Sequence, residues 1–224
     1  MSGTLYLVST PIGNLKDIAL RAIDVMKSVD VIACEDTRQT AKLLSHHHIR
    51  KPMVSLHEHN ERSRTPGLIE QLKAGQSIAL VCDGGTPLIS DPGWRLVHDA
   101  IEAEIPVTWI PGPTALIGGL VLSGLPTERF VFEGFLPAKP GARHRRLEAL
   151  KDEERTVVLY ESPHRLLKTL KEIRDVLGDV PTTCARELTK RFEEVRRGKM
   201  SELIAHFEHH PPRGEFVLAF SNRQ

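Results

Sequence analysis

From residue 4 to residue 123 the chain alternates short apolar runs with segments whose apolar residues recur at helical spacing, and this alternation restricts the fold more than any other feature. Runs at 4–8, 31–34, 53–56, 78–82 and 107–110 have the length and composition of strands. Between them Ile18, Ala22, Met26 and Val29 share a helical face behind the cap candidate Asp17, and Leu68, Ile69 and Leu72 share another that ends at Gly75. Further helices are expected to start near Trp94 and near Thr114. Strand and helix in steady succession describe a largely parallel sheet covered by helices.

The pattern changes after the turn-rich stretch Ser123-Gly124-Leu125-Pro126-Thr127. Strand candidates at 130–133, 156–161, 182–187, 193–197 and 216–220 now come with fewer helices, of which 166–177 is the clearest. The reading is two α/β domains, 1–124 with a mostly parallel sheet and 125–224 with a mixed sheet. A ligand cleft is expected between them.

Composition narrows the class. The 224 residues are 40% hydrophobic and 26% charged with a net charge of +1, so no whole-molecule field announces a polyanion. Lys and Arg are outnumbered by Asp and Glu up to residue 125 and outnumber them after it, which makes the second half the better resting place for one. Cys34, Cys82 and Cys184 lie in or beside apolar runs without CxxC pairing and read as reduced, buried thiols of a cytosolic protein. The N-terminus enters the first strand candidate with no basic start and no long apolar core, so neither a signal peptide nor a membrane span is indicated.

Four loops follow strand candidates in the first half: Ser9-Thr10-Pro11-Ile12-Gly13-Asn14, Glu35-Asp36-Thr37-Arg38, Cys82-Asp83-Gly84-Gly85-Thr86-Pro87-Leu88-Ile89-Ser90-Asp91-Pro92-Gly93 and Pro111-Gly112-Pro113-Thr114-Ala115. The third packs three glycines and two prolines into twelve residues, which makes it both permissive of close backbone approach and stiff. Loops at the carboxyl ends of parallel strands share one edge, so these four can converge on a small-molecule site. A dinucleotide does not fit there. Glu35 and Asp36 stand where a ribose-binding acid belongs, but Pro11-Ile12-Gly13-Asn14-Leu15 has one glycine where GxGxxG has three, and no GxxxxGKS or GxxxxGKT phosphate loop is present.

These loops, with Gly134-Phe135-Leu136-Pro137, Tyr160-Glu161-Ser162-Pro163-His164-Arg165 and Arg186-Glu187-Leu188-Thr189-Lys190, resemble the RsmI family of small-subunit ribosomal RNA cytidine 2′-O-methyltransferases, within the tetrapyrrole-methylase (class III S-adenosylmethionine) superfamily. The matches run in order from residue 4 to Gly214-Glu215. Gly84 stands where the family more often has alanine, and many members continue with a helical segment past the last strand candidate.

The resemblance implies a tetrapyrrole-methylase-like fold with S-adenosylmethionine folded in the trough between the domains. It also implies 2′-O-methylation of a cytidine ribose in the decoding region of 16S rRNA within the 30S subunit, by a cytoplasmic homodimer. Carried over by motif, the cofactor contacts are Pro11, Ile12, Gly84, Gly85, Thr86, Pro87, Ile89, Thr114 and Ala115, with Tyr160, Ala185 and Glu215 from the second domain. In-line methyl transfer needs positioning and a base but no metal. Groups able to face the acceptor are Glu35, Asp36 and Arg38, then Glu161, His164 and Arg165, then Arg186, Glu187 and Lys190. Glu161 or Glu187 is expected to orient or deprotonate the hydroxyl, and Arg38, Arg165 and Lys190 to hold phosphates.

The basic run Lys139, Arg143, His144, Arg145, Arg146 and Lys151 has two readings, a mobile RNA clamp or a solvated helix face. His46-His47-His48 and His57-Glu58-His59 lack HExxH spacing and are not read as metal ligands, although the segment 57–61 is a candidate border of the substrate. Two other functions keep the same residues: a precorrin-type tetrapyrrole methyltransferase, and a catalytically idle RNA-binding or ribosome-assembly module.

Overall fold

The structure, a computed structural model, describes residues 2–222 and holds its strands in two five-stranded sheets. Up to Thr114 the chain forms one compact unit. Its sheet is parallel throughout, in the order β3 (Met53–Ser55), β2 (Val31–Cys34), β4 (Ile78–Val81), β1 (Leu5–Val8) and β5 (Val107–Ile110). The strands are short and apolar because both faces are covered. Leu5, Ala33, Ile78 and Leu80 face a core that includes Leu68 and Leu72 of α3 (Glu61–Lys73) and Leu96 and Ala100 of α4 (Trp94–Glu102). Val8, Ile32, Cys34, Ala79 and Val81 face another with Ala22 and Met26 of α1 (Leu20–Ser28) and Leu43 and Leu44 of α2 (Thr37–His46). Each fully buried Leu or Ile stabilises this arrangement by roughly 1.5–3 kcal/mol relative to exposure.

Local chemistry sets the helix starts, in places against the sequence reading. Asp17 does not cap α1; it closes a 3-10 turn, Leu15–Asp17, whose cap Asn14 accepts the Lys16 amide at 3.1 Å. Helix α2, which apolar spacing did not announce, begins where the Asp36 carboxylate accepts the Arg38 amide at 2.8 Å.

From Ala115 onward a second compact unit forms around a mixed sheet ordered β6 (Phe130–Phe135), β7 (Thr156–Glu161), β10 (Phe216–Phe220), β8 (Pro181–Arg186) and β9 (Glu194–Lys199). Only β6 and β7 pair in parallel. One face carries α6 (Pro140–Glu148), α7 (Pro163–Leu177) and α8 (Met200–His209) over Val157, Leu159, Leu218 and Phe220. Helix α5 (Ala115–Ser123) packs on β8 and β10, so the division falls between Thr114 and Ala115 and not near Gly124. The physical reason is Gly119: a Cβ there would lie 2.4 Å from Val217 Cγ1, and its absence lets the helix sit directly on β10. Among the described residues no helix is long and apolar enough to cross a membrane.

Candidate active site

Because the first sheet is parallel, the loops leaving β2, β4, β1 and β5 stand side by side at its carboxyl edge, and hydrogen bonds join them. The Asp36 amide donates to Asp83 Oδ1 at 3.1 Å. Thr10 and Gly85 exchange both backbone bonds, at 2.8 and 3.0 Å. The Thr86 hydroxyl lies 3.0 Å from Ser9 Oγ and 2.6 Å from Thr114 Oγ1, while Trp109 Nε1 donates to Ser9 Oγ at 3.3 Å. The Ile89 amide closes a turn onto the Thr86 carbonyl at 3.3 Å, around Pro87. Pro11, Ile12, Gly84, Gly85, Thr86, Pro87, Ile89 and Thr114 are thereby brought onto one loop surface.

The loop from Cys82 to Gly93 is strained as well as stiff. Leu88 (φ 73°) and Ser90 (φ 66°) occupy the left-handed region, a conformation that costs of order 1–3 kcal/mol and persists only where surroundings impose it. Glu61 supplies part of that restraint, since its Oε1 accepts the amides of Gly93 at 3.2 Å and Arg95 at 2.7 Å at the start of α4. That gives the segment 57–61 a structural role. Gly84 does not face open space: a Cβ there would meet Pro11 O at 3.1 Å and Ile12 Cα at 3.5 Å. Its missing side chain admits the neighbouring loop.

Three carboxyl groups border this surface. Burial, then the neighbouring Asp83 charge, raises Glu35 above the ordinary carboxylate range. Burial likewise raises Asp83 despite the hydrogen bond from the Asp36 amide. Asp91 is pushed up to about 6 by burial and then by Glu35, while a hydrogen bond with the Cys82 thiol opposes the rise. Such displaced acids collect at sites of proton transfer. Asp36 behaves oppositely: the Arg38 guanidinium holds it down to about 2 through hydrogen bonds of 3.1 and 2.7 Å. Arg38 is exposed, but half its fork is engaged by its own helix cap. Residue-level reading missed Asp83 and Asp91, although two acids in a Gly/Pro loop just after a buried apolar strand were a usable signal.

In the second unit the expected residues divide into core and surface roles. The Glu161 side chain is fully buried; its oxygens accept the Thr169 hydroxyl at 2.6 Å and the Ser162 amide at 2.9 Å, and Arg165 Nε lies 3.4 Å away. It has no opening toward a substrate, so it is not the base. Arg165 turns inward too, donating to the Leu136 carbonyl at 2.7 Å. Ala185 is buried in β8, and the Tyr160 hydroxyl accepts the Leu116 amide at 3.1 Å, beside Ala115 in the first turn of α5. Glu187 Oε1 accepts the Glu215 amide and the Lys190 ammonium, each at 3.1 Å, and Lys190 also reaches Glu215 Oε2 at 3.1 Å. Burial would raise Glu187, but the Glu215 amide and Lys190 together hold it below its ordinary value. Lys190 is therefore compensated by two acids and is not a free phosphate binder.

The basic run 139–151 is not a mobile arm. Arg143 is 2% exposed, pairs with Glu172 of α7 and donates to the carbonyls of Pro137 and Ala138, which docks α6 and removes Arg143 from any RNA surface. Arg146 is clamped by Glu133 at 2.6 Å, whereas Arg145 is exposed and has no ion pair among the described residues. His46, His47 and His48 lie at the end of α2 remote from Asp36. Among the described residues no group of three or more His, Cys, Asp or Glu is placed to hold a metal. Cys34, Cys82 and Cys184 are buried free thiols.

The fold is that of the tetrapyrrole methylases. The model of the family Tetrapyrrole (Corrin/Porphyrin) Methylases matches residues 4–204. The uroporphyrin-III-C-methyltransferase from Thermus thermophilus, a crystal structure 21% identical in sequence, superposes with a TM-score of 0.67 over 97% of this chain and 94% of that one, a likeness of fold. In sequence, the Ribosomal RNA small subunit methyltransferase I of Synechocystis sp. is 53% identical over 98% of this chain and 79% of its own length. That of Thermotoga maritima is 45% identical over 99% and 100%. The chain belongs to the ribosomal RNA small subunit methyltransferase I family.

Proposed function

We propose that this protein transfers a methyl group from S-adenosylmethionine to the ribose 2′-hydroxyl of a cytidine in the decoding region of 16S rRNA, on the 30S subunit, in the cytoplasm. The observation that carries the reading is 53% identity across 98% of the chain to a ribosomal RNA small subunit methyltransferase I. Buried free thiols fit a reducing compartment. Ile117, Val121 and Leu122 of α5, 45%, 64% and 37% exposed, favour a homodimer that covers them.

The residues at the carboxyl edge suit the methyl donor. Backbone groups around Pro11, Ile12, Gly84 and Gly85, with the Thr86 and Thr114 hydroxyls, offer hydrogen bonds without a phosphate cradle, and the adjoining carboxylates match a cationic amino acid. When bound, S-adenosylmethionine supplies an activated methyl on a positive sulfonium. The chain's own task is to orient the ribose and accept the hydroxyl proton. Among the acids at this edge Asp91 suits that role, since burial and the Glu35 charge raise its carboxyl to about 6, more basic than an ordinary one yet still ionised at neutral pH. Glu35 and Asp83 sustain its basicity through their charge, and Glu187 fixes Lys190 instead of acting as the base.

Methyl transfer from labelled cofactor to undermodified 30S subunits, naked rRNA and a tetrapyrrole tests the reading. Label in the subunits at a cytidine ribose is expected. Label in the tetrapyrrole alone, or RNA binding with no transfer, would overturn it.

A further inference from the structure

We propose that Phe192 is a stacking platform for an unpaired base of the RNA substrate, with Arg191 as its cationic partner; this rests on the rRNA reading above. Phe192 is 64% exposed, in the loop between β8 and β9, and the Arg191 guanidinium lies 5.5 Å from its ring centroid. Exposed apolar side chains scattered singly need no explanation. This one differs in how it is held and in what surrounds it.

The loop that carries it is rigid. Glu187 (φ 50°) and the β-branched Thr189 (φ 67°) both adopt left-handed backbone, which for a residue such as Thr189 is a genuine outlier. Between them Leu188 is 7% exposed, anchoring the turn. The Thr189 amide donates to Glu193 Oε2 at 2.6 Å, the Lys190 amide to the Glu187 carbonyl at 2.9 Å, and the Glu193 amide to the Lys190 carbonyl at 3.2 Å. A strained, cross-braced turn thus presents a large aromatic ring to solvent, an arrangement that stability alone does not favour.

Charge identifies the occupant. Glu187, Glu193 and Glu215 are turned to partners within the turn, the Lys190 ammonium and the Thr189 amide, while Arg191 is the exposed cation over the ring. An aromatic face next to an exposed guanidinium is the chemistry that binds single-stranded nucleic acid: the base stacks and the cation meets the phosphate. A base stacked on the ring would hold its strand unpaired and fix the position of the neighbouring ribose.

The test measures equilibrium binding of a fluorescein-labelled single-stranded oligoribonucleotide, together with the KM for undermodified 30S subunits. Phe192→Ala and Phe192→Leu are expected to weaken both by about tenfold, and Phe192→Trp to restore them to within about twofold. The melting temperature and the affinity for S-adenosylmethionine should stay unchanged, because the side chain is exposed. Arg191→Ala should instead flatten the salt dependence of binding by roughly one unit of slope. Wild-type binding by the Ala variant, or rescue by Leu as complete as by Trp, would overturn the platform. RNA binding that depends on Phe192 without any methyl transfer would keep the platform and remove the enzymatic reading. Methyl transfer with the Ala variant unimpaired would do the reverse.

Discussion

The hydroxyls of Thr86 and Thr114 lie 2.6 Å apart and join the loop after β4 to the loop after β5, two strands separated in the sheet by β1. Ser9, from the β1 loop, reaches Thr86 at 3.0 Å and makes the link continuous across all three. The bond therefore holds the edge in shape before any ligand arrives.

Thr86→Val keeps the volume and removes the link. Because Ser9, which is fully buried, and Thr114, which is half-buried, each lose a partner, stability should fall by about 1 kcal/mol and methyl-donor affinity by roughly five- to tenfold. Titration calorimetry reads the affinity, and Thr86→Ser should retain most of it.

Glu161 separates a structural from a chemical role. Glu161→Ala leaves Arg165 and the Thr169 hydroxyl without their buried acceptor and should cost about 3–5 kcal/mol in urea unfolding. Glu161→Gln should cost less, and the folded fraction of either variant should turn over at the wild-type kcat. A lowered kcat in well-folded Glu161→Gln would return this residue to the chemistry.

Asp91 links stability and activity to pH in opposite directions. Below pH about 4 it is protonated both folded and unfolded; as pH rises, the unfolded chain loses the proton first and the folded protein keeps it to about 6. The folded state thus binds more protons in that window, and stability falls as pH rises through it. The interval corresponds to at most ~3 kcal/mol, reduced to about 1–2 kcal/mol by partial exposure. Asp91→Asn should abolish this loss and gain relative stability between pH 4.5 and 7 in urea titrations. Wild-type kcat/KM should drop as pH falls through about 6, and the Asn variant should lose most turnover at every pH.

Arg143 and Arg145 lie two positions apart on α6 and should respond differently. Arg143→Ala strands the Glu172 carboxylate and should cost about 3–5 kcal/mol in stability. Arg145→Ala should leave stability within about 0.5 kcal/mol while reducing the salt slope of RNA binding. Thermal melts and binding at two salt concentrations distinguish them.

The periodic elements were legible. All five apolar runs of the first half are strands of one parallel sheet, since a continuous apolar run between helices has few other ways to bury both its faces. Helices whose starts depend on a single side chain were less so: Asp36 opens α2 by a local hydrogen bond, which leaves no apolar period to find. Helix α5, apolar on nearly every side, could not announce its partner sheet; Gly119 against Val217 decides that at a sequence distance that pattern reading does not span.

Motif order and residue type by themselves determined the class of fold, the family and the loops that meet at the carboxyl edge, because strand direction in a parallel sheet follows from connectivity. What each charged residue does was decided only by tertiary structure. Glu161, Arg143 and Lys190 read as site residues, yet burial and partners make the first two core ion pairs and neutralise the third. Asp91 became a base candidate through its surroundings. A carboxylate's identity is written in the sequence, whereas its solvation and the charges a few ångströms away, which set its chemistry, exist only once the chain has folded.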